Sequence, residues 1–546
     1  MSSKNGNAPP PRPDEAPVAD GVSPNSMRKQ GKPGALMLRG SVLQIVAFAC
    51  NLLSSFFIMP LLIHSLGERG YGLWALIGTI VGQLGLFDVG LMTTTERFMA
   101  NTIARNDQEA GNSIYSTSIS IFVVVGAVVF FVIAMLSLAT PLWLHDSYEL
   151  HEFELAILIS GLNLAWLFPF SVMQGALAAA FRSDVVTIAQ VTATIVRTGL
   201  TVAVVFLGYG LIGLALGVFA ASVVERSLLG LMMRRHLPGI GFHRSSVRWK
   251  TLKELIAFSK YVFVVKVTDA ARYRIHNLLI AALAGIAAVT HYSVAIRLTD
   301  YFEALVLRVS SVSQPVYSMH FTRGEDEKLR EKFLTISRFG SVVCCIFAAT
   351  AIVFGRSFLR LWLGHGFHDS YYALSILIVA MFFALLQSPS RDVLRVIYKH
   401  QFDAKLNGIE VIINLILTVI LVPYFGIIGA AIGTAIPMIV VKAMILPAYV
   451  CRTIGLSLWT YYRAVGQPLL LALLLSAPVS ILVPLRAMNS MLELMGVAGG
   501  FAIVLTLILI YTLPTDDKIT LVYAYGRKRI EALPGGETFL RSLGVV

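Results

Sequence analysis

The chain has 546 residues, of which 56% are hydrophobic and only 14% are charged. In a soluble domain about a quarter of all residues are charged. This composition and a mean hydropathy of +0.74 therefore argue against a soluble globular protein. The net charge is 44 − 31 = +13, and its distribution decides between a nucleic-acid partner and a membrane.

The first 35 residues are rich in Pro, Ser and Asn and contain no apolar core. Basic residues, Arg28, Lys29 and Lys32, stand near the end of this stretch. We expect a disordered cytoplasmic tail there and no cleavable signal peptide.

Apolar runs of about 20 residues, the length that an α-helix needs to cross about 30 Å of hydrocarbon, recur from residue 41 to residue 513. The alternating pattern of a membrane barrel is absent from the sequence. The α-helix is the other structure whose backbone hydrogen bonds are all formed internally, as lipid requires. The predicted fold class is therefore an all-α integral membrane protein with about 14 transmembrane helices. The predicted spans are 41–63, 72–92, 114–138, 153–178, 185–207, 210–232, 258–283, 286–312, 334–355, 370–390, 405–424, 426–449, 467–485 and 495–513.

Loop charge predicts the orientation. The connection after the sixth span carries six basic residues and a single acid, Glu254, whereas the connection 139–152 contains acids and neither Lys nor Arg. Because Lys and Arg stay on the cytoplasmic side, both termini are expected there. Topology and anionic lipid headgroups then explain the net charge, and we expect no nucleic-acid partner. The basic residues of that connection are Arg234, Arg235, Arg244, Arg248, Lys250 and Lys253.

Two halves of the chain repeat each other. The Gly-rich turn at Gly210 returns at Gly426, an offset of 426 − 210 = 216, and Leu61 returns at Leu278, an offset of 278 − 61 = 217. This predicts two six-helix lobes in parallel orientation, related by a pseudo-twofold axis along the membrane normal, plus two C-terminal helices. The alternative is chance similarity between Gly/Leu-rich spans. The predicted units are a tail 1–35, an N-lobe 36–233, a basic cytoplasmic linker 234–257, a C-lobe 258–450, two further helices 451–514 and a tail 515–546.

Ionisable residues inside spans are functional candidates, because burying them in lipid is costly. Those on the seventh and eighth spans follow helical spacing and share a face, and the fifth span carries a polar stripe in which 197 + 217 = 414 makes Asn414 the counterpart of Arg197. An excess of arginine suits a phosphate-bearing substrate. The alternatives are structural ion pairs, Lys266 with Asp269 and Arg297 with Asp300, and an interfacial location for Asp88 and Arg308. The candidates are Arg197, Lys266, Arg272, Arg297 and Arg308 for substrate, and Asp88, Asp269, Asp300 and Glu410 for ion coupling.

A set of short segments near the start of the chain forms a recognisable block: Leu66-Gly67, Tyr71-Gly72-Leu73-Trp74-Ala75-Leu76, Leu86-Phe87-Asp88-Val89-Gly90-Leu91 and Arg97. This block resembles the first signature block of polysaccharide-export flippases, in the multidrug/oligosaccharidyl-lipid/polysaccharide exporter superfamily. The resemblance implies two lobes around a cavity, alternating access, and location in the bacterial inner membrane. It also implies a lipid-linked oligosaccharide substrate on undecaprenyl pyrophosphate, flipped toward the periplasm for exopolysaccharide or O-antigen assembly alongside a polymerase and export machinery.

A transporter rather than an enzyme is therefore expected, with membrane lipids around it. No cofactor is predicted beyond H⁺ or Na⁺ as the coupling ion, and neither a Walker lysine loop nor an HExxH helix occurs in the sequence. Two alternatives stay open. A cation-coupled multidrug antiporter of the same superfamily would favour an acidic, aromatic cavity. A membrane glycosyltransferase or polymerase would need a large extracytoplasmic loop with catalytic residues.

Overall fold

The structure is a computed structural model that describes residues 33–142, 147–257, 276–310, 313–485 and 488–514. Within these ranges the chain is helical and forms no strand. The helices are α1 (Pro33–Leu84), α2 (Leu86–Ala104), α3 (Gln108–Leu138), α4 (Ser147–Ala179), α5 (Ser183–Leu207), α6 (Gly210–His236), α7 (His276–Ala284), α8 (Ile286–Ser310), α9 (Ser313–Thr322), α10 (Asp326–Leu363), α11 (His368–Leu386), α12 (Ser388–Val396), α13 (His400–Ile439), α14 (Leu446–Ile454), α15 (Leu458–Leu485) and α16 (Met491–Tyr511).

Two helices are interrupted by a single glycine. α1 has 52 residues with a non-helical Gly67, and α13 has 40 residues with a non-helical Gly426. At about 1.5 Å per residue, each is about twice as long as the hydrocarbon layer is thick, so each supplies two spans. The sequence predicts a loop at 64–71 between the first two spans and leaves only residue 425 between the other two, whereas the structure has a single non-helical glycine at each place.

The all-helical membrane fold class is confirmed. Ten helical segments in the described chain are long and apolar enough to cross a membrane, and two of these contain the breaks at Gly67 and Gly426. Most of the predicted seventh span, residues 258–275, lies outside the described residues.

The repeat is visible in the backbone. Eight of the eleven left-handed residues in the described ranges form pairs at a nearly constant offset: 285 − 67 = 218, 324 − 106 = 218, 398 − 181 = 217 and 426 − 208 = 218. Two of these pairs contain non-glycine residues, so composition alone does not produce the correspondence. The duplicated unit is therefore a repeated structure. The pairs are Gly67 with Gly285, Asn106 with Gly324, Phe181 with Tyr398, and Gly208 with Gly426.

These turns define two ends of the bundle. We call the end with Gly67, Gly208, Gly285 and Gly426 the glycine end. The opposite end, which we call the basic end, holds the turns at Phe181 and Tyr398, each followed by a basic residue, and the connection 237–257 after α6.

Following the sequence repeat, we call helices α1 to α6 the N-lobe and helices α7 to α14 the C-lobe. The remaining helices, α15 and α16, pack on α10. Ser341 on α10 donates to the carbonyl of Val465 at 2.8 Å, and Arg360 donates to the carbonyl of Met488 at 2.9 Å. The two additional helices thus cover one side of the C-lobe.

Candidate functional site

A polar cavity of about 590 Å³ lies within the N-lobe between α1, α5 and α6. It reaches the basic end, because Ser183, the first residue of α5, is part of its wall. The polar stripe that the sequence places on the fifth span faces this space, and so do Gln44 and Asn51 of α1. The polar and charged residues of its wall are Gln44, Asn51, Gln174, Ser183, Thr187, Gln190, Thr194, Arg197, Ser222 and Glu225.

The arginines of the two lobes approach each other next to this cavity. Arg197 on α5 lies within electrostatic range of Arg297 on α8. Arg297 also lies within range of Tyr71 on α1 and of Tyr301 one turn further along α8. The structure therefore places Arg197 and Arg297 within electrostatic range of each other, although they belong to different lobes and are 100 residues apart (297 − 197).

The acidic group of the cavity wall is already paired. Glu225 lies 3.1 Å from Arg226, the next residue along α6, and accepts a hydrogen bond from Gln174 at 3.2 Å. Arg226 is buried and also donates to the carbonyl of Ser222 at 3.1 Å. Arg197 lies within electrostatic range of Glu225 as well. The cavity therefore combines one neutralised acid with a cation at its inner end.

The C-lobe presents different chemistry at the matching place. Asn414 accepts a hydrogen bond from the buried His276 ring, with 2.6 Å between Nε2 and Oδ1, and Thr434 lies 3.2 Å from the same nitrogen. Because Nε2 faces the amide oxygen, it carries the proton. Where the N-lobe has the cation of Arg197, the C-lobe has the amide of Asn414, hydrogen-bonded to an imidazole.

A buried ion cluster holds Glu410 in the C-lobe. Lys442 is fully buried, and its Nζ lies 2.6 Å from Asn407 and 3.5 Å from both Asp403 and Glu410. Lys442 stands in a π-helical turn, Val440–Ile445, directly after α13. Such wide turns often occur at functional sites. Glu410 is thus an ion-pair partner of a lysine on the following span.

The other candidates from the sequence are distributed as follows. Arg297 and Asp300 are exposed on α8, and Asp300 lies within electrostatic range of Tyr301. Lys266, Asp269 and Arg272 lie outside the described residues, as do the side chains of Asp88 and Arg308, whose helices are described.

Sequence reasoning missed Lys442 and Glu225. Both were detectable, because each is an ionisable residue inside a long apolar run. They are nearly repeat counterparts, since 442 − 225 = 217. The N-lobe therefore carries an acid on the helix where the C-lobe carries a lysine.

Contacts between the lobes gather at the glycine end in the part of the chain that the structure describes. The Trp362 indole donates to the carbonyl of Phe56 at 3.0 Å, and their rings stack 5.2 Å apart. Glu68 lies 3.4 Å from the His291 ring and accepts through its carbonyl from Thr290. The lobes are joined at this end, while the N-lobe cavity opens at the basic end.

Comparison with known proteins gives the family. A family model described as "Polysaccharide biosynthesis protein" matches residues 66–372, more than half of the chain. The chain belongs to this family. It is 22% identical over 414 residues to the "Putative O-antigen transporter" of Shigella flexneri, covering 74% of this chain and 95% of that one. It is 20% identical over 444 residues to the "Uncharacterized membrane protein EpsK" of Bacillus subtilis (strain 168), covering 78% and 85%.

Solved structures agree on the fold. An inward-facing multidrug resistance MATE family transporter of the MOP superfamily superposes with a TM-score of 0.65 at 15% identity, covering 75% of this chain and 98% of that one. The molecule is therefore a multi-pass membrane protein of the polysaccharide biosynthesis family, with the fold of this transporter.

Proposed function

We propose that the protein flips a lipid-linked oligosaccharide, carried on undecaprenyl pyrophosphate, from the cytoplasmic to the periplasmic leaflet of the bacterial inner membrane by alternating access. Family membership and the relative that is named for O-antigen transport support this substrate class. The product would feed exopolysaccharide or O-antigen assembly, where a polymerase and export machinery act next.

The approach of Arg197 and Arg297 carries the proposal. Two guanidinium groups within electrostatic range repel each other unless an anion or water lies between them. A pyrophosphate would remove that repulsion and form bidentate contacts with both planar groups. Because one arginine belongs to each lobe, the anion would favour the arrangement in which the lobes approach around it.

The positive-inside rule assigns the basic end to the cytoplasm. Both termini are then cytoplasmic, and the described conformation, joined at the glycine end, is the one that loads substrate from the cytoplasmic leaflet. Release would require the contacts around Phe56, Glu68 and Trp362 to separate while the basic end closes.

Coupling to H⁺ or Na⁺ would take place at the acidic residues near the cavity and the two arginines. Asp300 stands one turn from Arg297 on α8, so a proton or cation at Asp300 would change the field at the pyrophosphate site. Glu410 shares its charge with Lys442, so coupling at Glu410 would also change the charge balance around that lysine. Asp269 and Asp88 stay candidates from the sequence.

The decisive experiment measures flipping in vesicles that contain the purified full-length protein and a fluorescent undecaprenyl-pyrophosphate oligosaccharide. We expect Arg197→Ala and Arg297→Ala each to lower the initial rate at least about tenfold, since charge-assisted contacts are worth about 1.5–3 kcal/mol. The lysine variants should keep part of the rate, because the charge remains while the bidentate geometry is lost.

Arg105→Ala is the matched control, because Arg105 is an exposed residue in the turn after α2, away from the cavity. It should flip the substrate at the wild-type rate. Normal flipping by the Arg197→Ala/Arg297→Ala double variant would refute the assignment of the pyrophosphate site.

A multidrug antiporter is the competing function. A lipophilic cation would need a free acid in the cavity, whereas Glu225 is already held by Arg226 and Gln174. Efflux of a fluorescent lipophilic cation by the same vesicles, without flipping of the oligosaccharide, would favour that alternative.

A further inference from the structure

The connection that leaves the N-lobe after α6 lies along α3 as a fixed segment. We call residues 237–257 the basic strap. Asn112 on α3 donates to the carbonyl of Gly239 at 3.1 Å and accepts from the amide of Gly241 at 2.8 Å. Ser116 accepts from the amide of His243 at 2.9 Å. The basic strap is therefore bound to the first turns of a membrane-spanning helix.

The first half of α3 carries the polar side chains that bind the basic strap. Ser113, Ser116 and Thr117 are buried, although α3 is otherwise strongly apolar. Thr117 accepts from the amide of Arg248 at 3.3 Å, and Ser113 lies 3.2 Å from the Thr251 hydroxyl. These hydroxyl groups satisfy backbone and side-chain groups of the basic strap, which keeps it at the membrane boundary.

An apolar groove of about 550 Å³ separates the end of the basic strap from the next turns of α3. Residues 249–257 are helical, and Trp249, Leu252 and Ile256 line the groove from this side. Ile121 and Val124 line it from α3. Trp249 is 69% exposed and Val124 is 63% exposed, so large apolar surfaces face outward at this place. The groove lies on the outside of the bundle, where a membrane-spanning helix meets lipid.

The rim of this groove is cationic. Arg244, Lys250 and Lys253 are exposed on the basic strap, and Lys253 Nζ lies 5.6 Å from the Trp249 ring centre. Arg248 is engaged by Glu109, and Glu254 is the one acid of the strap's sequence. An apolar groove with basic residues beside it is complementary to a molecule with an acyl chain and an anionic headgroup.

We propose that the groove between the basic strap and α3 binds one anionic phospholipid. Its acyl chain would lie between Val124 and the Trp249–Leu252 face, and its phosphate would meet Lys250 and Lys253. The assignment does not depend on the transported substrate. Because the basic strap is the connection from the N-lobe toward the C-lobe, a bound lipid would hold this connection against α3 during the transport cycle.

Quenching of tryptophan fluorescence by brominated lipids tests this proposal. The full chain is reconstituted in mixed phosphatidylglycerol and phosphatidylcholine vesicles of constant composition, with bromine on the chains of one lipid or the other. The Trp249 signal is the difference between the wild type and Trp249→Phe. Brominated phosphatidylglycerol should quench this signal about threefold or more above brominated phosphatidylcholine, and the Lys250→Gln/Lys253→Gln variant should lose the preference.

Trp166 provides the matched control. It is 46% exposed on α4, within an apolar stretch and away from the basic strap. Its signal, obtained with Trp166→Phe, should be quenched equally by the two lipids. Equal quenching of Trp249 by both lipids, absence of its quenching, or a preference that survives loss of both lysines would each overturn the proposal.

Discussion

Lys442, which sequence reasoning missed, pairs with Glu410, one of the predicted ion-coupling residues. It stands fully buried among Asn407, Asp403 and Glu410. A buried ammonium is tolerated only when partners satisfy it, because its desolvation is costly. The cluster is therefore a structural connection between the first half of α13, before Gly426, and the π-helical turn that follows α13.

Replacing Lys442 with Met should destabilise the protein by about 3–5 kcal/mol, because the carboxylates would be left buried without their cation. Denaturant unfolding of the purified protein in micelles measures this change. Adding Glu410→Gln should recover part of the loss, since one uncompensated charge is removed.

The control for this substitution is Lys328→Met. Lys328 forms an exposed pair with Glu325 at 2.9 Å, so its loss should change stability by less than about 1 kcal/mol. A Lys442→Met variant as stable as the wild type would contradict the view of this cluster as an ion pair. Transport that fails in Glu410→Gln at normal stability would instead give Glu410 a coupling role.

At the scale of the elements, the single glycine Gly67 replaces the loop at 64–71 that the sequence predicts. Gly67 has φ +71° and ψ 173°, a conformation that is almost confined to glycine. A Cβ at Gly67 would meet no atom within 4 Å. Any cost of a substitution there is therefore backbone strain rather than collision.

Gly67→Ala should lower the free energy of unfolding by about 1–3 kcal/mol through this strain. Gly78, on the same helix, is the matched control: a Cβ there also meets open space within 4 Å, and its backbone is helical. Gly78→Ala should be neutral or stabilising by about 0.5–1 kcal/mol. Equal effects of the two substitutions on the denaturation midpoint would refute the strain argument.

The spans and the repeat could be predicted because apolar length and glycine turns are local properties of the sequence. The polar face of α5, from Thr187 to Arg197, could likewise be read from helical spacing. The partners of these residues could not, because the pairing of Glu410 with Lys442 joins residues 32 apart (442 − 410) across a glycine break. Lobe-to-lobe proximity, as between Arg197 and Arg297, depends on packing that no single helix encodes.

At the scale of the whole molecule, the position of the lobe contacts determines which end is open. Gly72 lies where the N-lobe meets the C-lobe, and a Cβ there would stand 2.4 Å from the carbonyl oxygen of Ile286. Real side chains do not approach a backbone oxygen so closely, so a methyl group would force the lobes apart at the glycine end. In a conformation with separated lobes the same methyl group would cost nothing.

Gly72→Ala should therefore shift the conformational equilibrium toward opening at the glycine end. Spin labels at His64→Cys and His365→Cys, both exposed near this end, report the separation in a Cys50→Ala background. We expect a longer-distance population that grows in Gly72→Ala and stays unchanged in Gly78→Ala, whose added methyl group meets no atom within 4 Å. Identical distance distributions in the two variants would show that the close approach of Gly72 to Ile286 does not control opening. Control of opening would then be assigned to the stacked rings of Phe56 and Trp362.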